Sequence, residues 1–157
     1  MSWSNPAAPN LGDYTLWIQN TVGISTVYLP ANSPFLSYAF NRALAIVFNP
    51  PTSLAAIEYV LAVYNCATHI QLKITPDQSV NGVAYTYFRD KRAEFQLLNP
   101  VVGLVLSSSD ESTSVSNAVP DAMRQLTISD LDYMKTPFGR EFLSFQQDYG
   151  PTLWMLS

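Results

Sequence analysis

The run from Leu54 to Leu72 constrains the fold more than any other stretch. It is the most apolar segment of the chain. Wound as a helix it is apolar nearly all round, so it has no face to give to water and belongs at the centre of a helical body. Glu58, Asn65, His69 and Gln71 interrupt it, which argues against a bilayer span of about 20 apolar residues. We read a helix that starts near Ser53 and closes before or at Pro76.

A buried central helix needs neighbours, and the flanking sequence supplies them with clear punctuation. Ser33 suits an N-cap and Pro34 the first turn, where its missing N–H costs nothing. Leu36, Phe40, Ala43 and Val47 then share one helical face, and Asn49-Pro50-Pro51 stops the helix. Upstream, Asp13 is expected to cap a short helix reaching Val22, with Leu16, Trp17 and Asn20 on one face and Gly23 at its end. Downstream, Pro120 opens PDAMRQL, and Thr127 with Asp130 resembles a capping box for the helix that follows. Thr136-Pro137 starts a last helix, in which Phe138, Phe142, Phe145 and Tyr149 form an aromatic stripe for the protein's own core. Gly150-Pro151 ends it.

The whole reads as a mainly α, single-domain helical bundle over residues 1–157, long enough for one core. Residues 1–10, with Pro6 and Pro9, read as an extended N-terminal arm, 11–150 as the helical body and 151–157 as an extended tail. Within the body, SSSDESTSVSN (107–117) is acidic and of low complexity, the composition of a mobile loop. It follows PVVGLVL, which fits either a strand or an extended stretch in a groove. One segment stays open between two readings. Asn81-Gly82 is a turn signal that either joins strands around 70–74 and 83–87 or precedes a helix. Phe88 and Phe95, with Arg89, Asp90, Lys91, Arg92 and Glu94 between them, favour the helix. That charged face is either solvated or a salt-bridging surface between subunits.

Residues that carry chemistry are sparse. The six glycines form neither a dinucleotide-binding fingerprint nor a Walker loop. Cys66 and His69 are the nearest thing to a metal-ligand set, and two ligands do not close a site. A lone cysteine makes no internal disulfide, and its apolar setting reads as a buried thiol, with His69 packed or hydrogen-bonded. No G-x-S-x-G elbow holds a serine. Asp110-Glu111 falls in the Ser-rich loop, and Asp130/Asp132 sit in a first helical turn, where they complement the helix dipole. The expectation is no catalytic, cofactor or metal site and no enzyme.

Only 13% of residues are charged, about half the usual share of roughly 25%. Partner subunits covering the surface explain that best. Eight basic residues are scattered in a chain of net charge −4, which argues against a surface that grips DNA. The aromatic and basic stretch at 85–95 is the one candidate for single-stranded nucleic acid, and Asp90 and Glu94 dilute its field. The opening residues MSWSNPAAPN lack a signal-peptide pattern.

The tail is unusual. After Gly150-Pro151 come Leu153, Trp154, Met155 and Leu156, a strip that left in water would drive association. It docks either on its own core or in a groove of a neighbour, and Trp is the residue type most enriched at binding hot spots. The stretch LTISDLDYMKTPFGREFLSFQQDYGPTLWMLS, together with the helical layout, N-terminal arm, flexible loop and low charge, resembles the head-to-tail adaptor (head-completion) proteins of tailed bacteriophages. The resemblance implies a structural virion protein assembled in the host cytoplasm. Its copies would form a homo-oligomeric, dodecameric ring below the portal protein, extend the DNA channel without specifically binding DNA, and offer a platform to the next tail component. It places Leu153, Trp154, Met155 and Leu156 as the portal-docking strip. The loop 107–117 matches no element of that family, and we expect it to reach a neighbouring subunit. Another neck, tail-completion or capsid-decoration component, or a non-viral helical binding module, stays open.

Overall fold

A computed structural model describes residues 4–49, 56–80, 82–99, 107–110, 113–116 and 127–149. They form a mainly helical fold. Its centre is α3 (Ala56–Ile74). Every residue of α3 from Cys66 to Leu72 is buried, two turns with no wet face, as the apolar run requires. α2 (Pro34–Ile46) and α6 (Pro137–Tyr149) supply most of the cover.

α2 begins as its sequence dictates. The Ser33 side chain accepts from the Phe35 N–H, Pro34 opens the first turn, and Leu36, Phe40, Ala43 and Val47 are buried. The aromatic stripe of α6 packs on the core: Phe142 and Phe145 are buried, and Phe138 and Tyr149 lie partly buried against them. Before α6 stands α5 (Ile128–Tyr133), opened by the Thr127–Asp130 capping box. The two meet very closely. A Cβ on Gly139 would stand 2.0 Å from the Tyr133 carbonyl oxygen, so only glycine lets the helices approach there.

The first helix differs from expectation. α1 (Leu11–Trp17) is capped by Asn10, not Asp13, and runs into a π-helical turn at Ile18–Val22 that Gly23 closes in the left-handed conformation, φ 80°. Its inward face is Tyr14 and Ile18, one turn apart, while Leu16 is 42% exposed. Tyr14 wins the inner place because its ring fits between Phe40 and Tyr64, at centroid distances of 5.8 and 5.6 Å. Nor do residues 4–10 extend as an arm. The Asp13 carboxylate accepts the Ser4 and Asn5 N–H groups, both at 3.0 Å, and the Asn10 amide at 2.7 Å. These bonds fold the segment back on α1 and hold the carboxyl down at about 2.

The open segment resolves into parts of both readings. Residues 70–74 are the last turn of α3 and not a strand, and a very short antiparallel pair forms instead between β1 (Ser79–Val80) and β2 (Val83–Ala84). α4 (Tyr87–Glu94) follows. Within 107–117, read from composition as a loop, the described residues pair as two short strands. Ser107–Asp110 (β3) pairs antiparallel with Thr113–Ser116 (β4), with Asp110 opposite Thr113.

Candidate functional site

A groove of about 520 Å³, open along one side, lies between α2, α3, α5 and residues 97–99. Tyr38 and Arg42 line it from α2, His69 and Lys73 from α3, Asp132 and Tyr133 from α5. An apolar cleft of about 420 Å³ adjoins it, lined by Pro34, Phe35, Tyr38 and Ile74. Tyr38 and Arg42, four residues apart, point to this side because the other flank of α2 carries the core stripe.

Leu97 reaches the groove wall through a helix-end motif. At the end of α4, Gln96 turns left-handed, φ 51°. The N–H groups of Leu97 and Gln96 then bond back to the carbonyls of Arg92 and Ala93, at 2.9 and 3.2 Å. This is the Schellman arrangement, which satisfies helix-end carbonyls and turns the chain inward. Leu97 ends 3% exposed.

The polar floor is a hydrogen-bonded cluster around His69, itself 2% exposed. Its Nδ1 stands 2.8 Å from the Thr136 hydroxyl, which also accepts the Gly139 N–H at 2.9 Å. A ring protonated at Nε2 satisfies this network, because the Thr136 hydroxyl is then free to donate to Nδ1. Nε2 faces the Asp132 carboxylate at 3.6 Å. Burial pushes the imidazole down to about 4, against the upward pull of Asp132, so His69 is neutral near neutral pH. Asp132 has two cations close by: Lys73 at 2.5 Å and Lys135 at 3.4 Å. Burial works against its ionisation, yet the Lys73 hydrogen bond and charge, with Lys135, leave its carboxyl below the ordinary range. Lys135 also donates to the Asn99 carbonyl at 2.7 Å.

Arg42 is the charge left over. It is exposed and makes no hydrogen bond or ion pair with the described residues. Behind the floor, the Tyr133 ring packs between His69 and Phe142 at 4.7 and 4.8 Å, and the Cys66 thiol lies 4.0 Å from its hydroxyl. Burial pushes the thiol up to about 12, which keeps it protonated and unreactive. The groove thus has a neutral histidine, one neutralised carboxylate, surplus positive charge and an apolar extension. Such a surface suits an acidic group carried on an apolar body.

The charged helix, read as either a solvated face or a contact between subunits, is divided by the structure. Arg92 turns inward. Its guanidinium donates to the Thr75 carbonyl at 2.6 Å and the Leu72 carbonyl at 3.5 Å, and lies 3.9 Å from Asp77. Asp77 in turn accepts the Phe88 N–H at 2.8 Å. The pair ties the end of α3 to the start of α4, so Arg92 is an internal clasp. Lys91 pairs with Glu94 at 2.7 Å and sits over the Phe95 ring. Arg89 and Asp90 stand furthest out in water, at 69% and 66% exposure, with Glu94 next at 55%. The sequence grouped all five because they are neighbours on one short helix. Leu153, Trp154, Met155 and Leu156 lie outside the described residues.

The sequence reading missed Tyr38, Arg42, Lys73 and Ile128 as site residues. A signal existed for two of them: Tyr38 and Arg42 recur one turn apart, off the core stripe of α2. Among the described residues no grouping of three or more His, Cys, Asp or Glu side chains is placed to hold a metal ion, and no helix is long and apolar enough to cross a membrane. Comparison with known protein families, with curated proteins and with solved structures returns no match.

Proposed function

We propose that this chain is a structural assembly subunit of a phage virion, an adaptor that forms a ring beneath the portal and extends the DNA channel toward the tail. The observation that carries this reading is the rim of the groove. Tyr38 is 57% and Ile128 is 78% exposed, large apolar side chains held in water on either side of a basic floor. Side chains of this kind flanking a depression are typical of surfaces that await a protein. The open shape points the same way, since small-molecule sites enclose most of their ligand. The low charge of the chain, 13%, fits a surface spent on subunit contacts. The apolar strip Leu153–Trp154–Met155–Leu156 supplies a second adhesive element, which the resemblance of the C-terminal third assigns to the portal.

Co-assembly tests the proposal. Purified chain mixed with portal rings is expected to shift into a complex of ring mass in native mass spectrometry, with the added mass a whole-number multiple of the chain. A chain that ignores portal rings and binds empty capsid shells is a decoration protein. A chain that binds neither, yet retards single-stranded DNA at low salt, is a nucleic-acid module. Either result overturns the adaptor reading.

A further inference from the structure

The basic groove has a complement on the chain itself. The chain carries 8 basic and 12 acidic residues. Three of the basic ones, Arg42, Lys73 and Lys135, line the groove or bond to its walls, against one carboxylate, Asp132. The remainder is therefore strongly acidic. Part of that acidity is organised on α6. Phe142 and Phe145 turn inward, while Glu141, Ser144 and Asp148 stand exposed; the one cation of the helix, Arg140, is exposed beside them and leans back toward the Met134 carbonyl at 3.5 Å, so the face keeps two carboxylates against one guanidinium. Glu141 and Asp148 are seven residues apart, two turns along one face. No residue of α6 lines the groove, so the acidic face and the basic groove are separate surfaces of one body.

We infer that the groove binds a second copy of this chain, taking the outward face of its α6. The carboxylates of Glu141 and Asp148 would meet Arg42 and Lys73, with Tyr38 and Ile128 packing at the margins. Because the two surfaces differ, the contact is heterologous: each copy uses its groove on one neighbour and its α6 on the next. Repeated, such a contact either closes into a ring or runs on as a filament. The inference rests on the adaptor reading for its setting and names the subunit contact of that ring. Opposite charge on the two surfaces orients the encounter and makes it salt-sensitive.

A charge swap tests it. Arg42 and both α6 carboxylates are exposed, so Arg42→Glu and the pair Glu141→Lys/Asp148→Lys are expected to fold, checked by their melting temperatures. Sedimentation velocity at sub-millimolar chain and low salt is expected to show higher oligomers of the natural sequence that dissociate in 0.5 M NaCl (roughly a 4 Å screening length). Each variant alone is expected to associate about tenfold or more weakly. Mixing the two is expected to restore association, since each groove then meets an opposite charge. A chain that stays monomeric at these concentrations, or oligomers indifferent to both variants, or variants that fail to rescue each other, overturns the contact. Portal co-assembly is read separately. A complex with portal that survives Arg42→Glu unchanged in stoichiometry leaves the adaptor standing and removes this interface.

Discussion

His69 is the only histidine of the chain, so its titration is read without assignment. Burial moves the imidazole from the ordinary 6.5 to about 4. Between those values the unfolded chain binds a proton that the folded one refuses. Stability from this residue is therefore complete above about pH 6.5, falls as the solution is acidified, and stops falling below about pH 4. The full loss is on the order of 3 kcal/mol. An NMR titration is expected to give one imidazole midpoint near 4; a midpoint at 6.5 would mean a solvated ring. Asp13 acts in a lower window. Its carboxyl is held at about 2 instead of 3.8, so its contribution is whole above about pH 3.8 and lost toward pH 2. Asp13→Asn is expected to flatten stability between those limits and leave the His69 slope unchanged. Steric control at residue scale is sharper. With 2.0 Å from an added Cβ to the Tyr133 oxygen, Gly139→Ala forces α5 and α6 apart, at a cost of about 3 kcal/mol or more. A melting temperature lowered by less than a degree would contradict that approach.

At the scale of elements, legibility followed the strength of local chemistry. α2, α5 and α6 were readable because each begins with a side chain that satisfies backbone donors, and α2 and α6 continue with a buried stripe. α3 was readable because an all-round apolar helix has one place to go. α1 was misread because its inner face is set by a distant partner: Tyr14 is placed by Phe40 and Tyr64, which no local spacing announces. The same holds for Arg92. Its charge was legible, while its target, the end of α3 seventeen residues earlier, belongs to the tertiary structure. The groove was hidden for this reason, being shared by three helices and residues 97–99. Two substitutions on α4 separate the clasp from the surface. Arg92→Ala removes charge-assisted bonds to helix-end carbonyls and is expected to cost about 1.5–3 kcal/mol in urea unfolding. Arg89→Ala, on an exposed pair, is expected to stay within about 0.5 kcal/mol. Gln96→Gly relieves a left-handed non-glycine residue and is expected to stabilise by about 1 kcal/mol.

For the whole molecule, the question is where the apolar strip at Leu153 to Leu156 finds its cover, and magnitudes decide how to ask it. Burying a large apolar side chain contributes about 1.5–3 kcal/mol, so four of them sum to a sizeable part of the 5–15 kcal/mol that holds a typical domain together. A strip inside the protein's own core could not be removed quietly. The described core runs from Tyr14 to Phe145, and α6 closes with the Tyr149 ring 5.0 Å from Phe145. Deleting residues 152–157 is therefore expected to move the melting temperature by no more than about 2 °C, since 1 kcal/mol corresponds to about 2–4 °C for a domain of roughly this size. On the adaptor reading proposed above, the same deletion abolishes co-assembly with portal rings, because Trp154 is the one aromatic side chain of the tail. A fall of more than about 10 °C would instead assign Trp154 and its neighbours to the fold. The groove and α6 would then be the surfaces left for subunit contact.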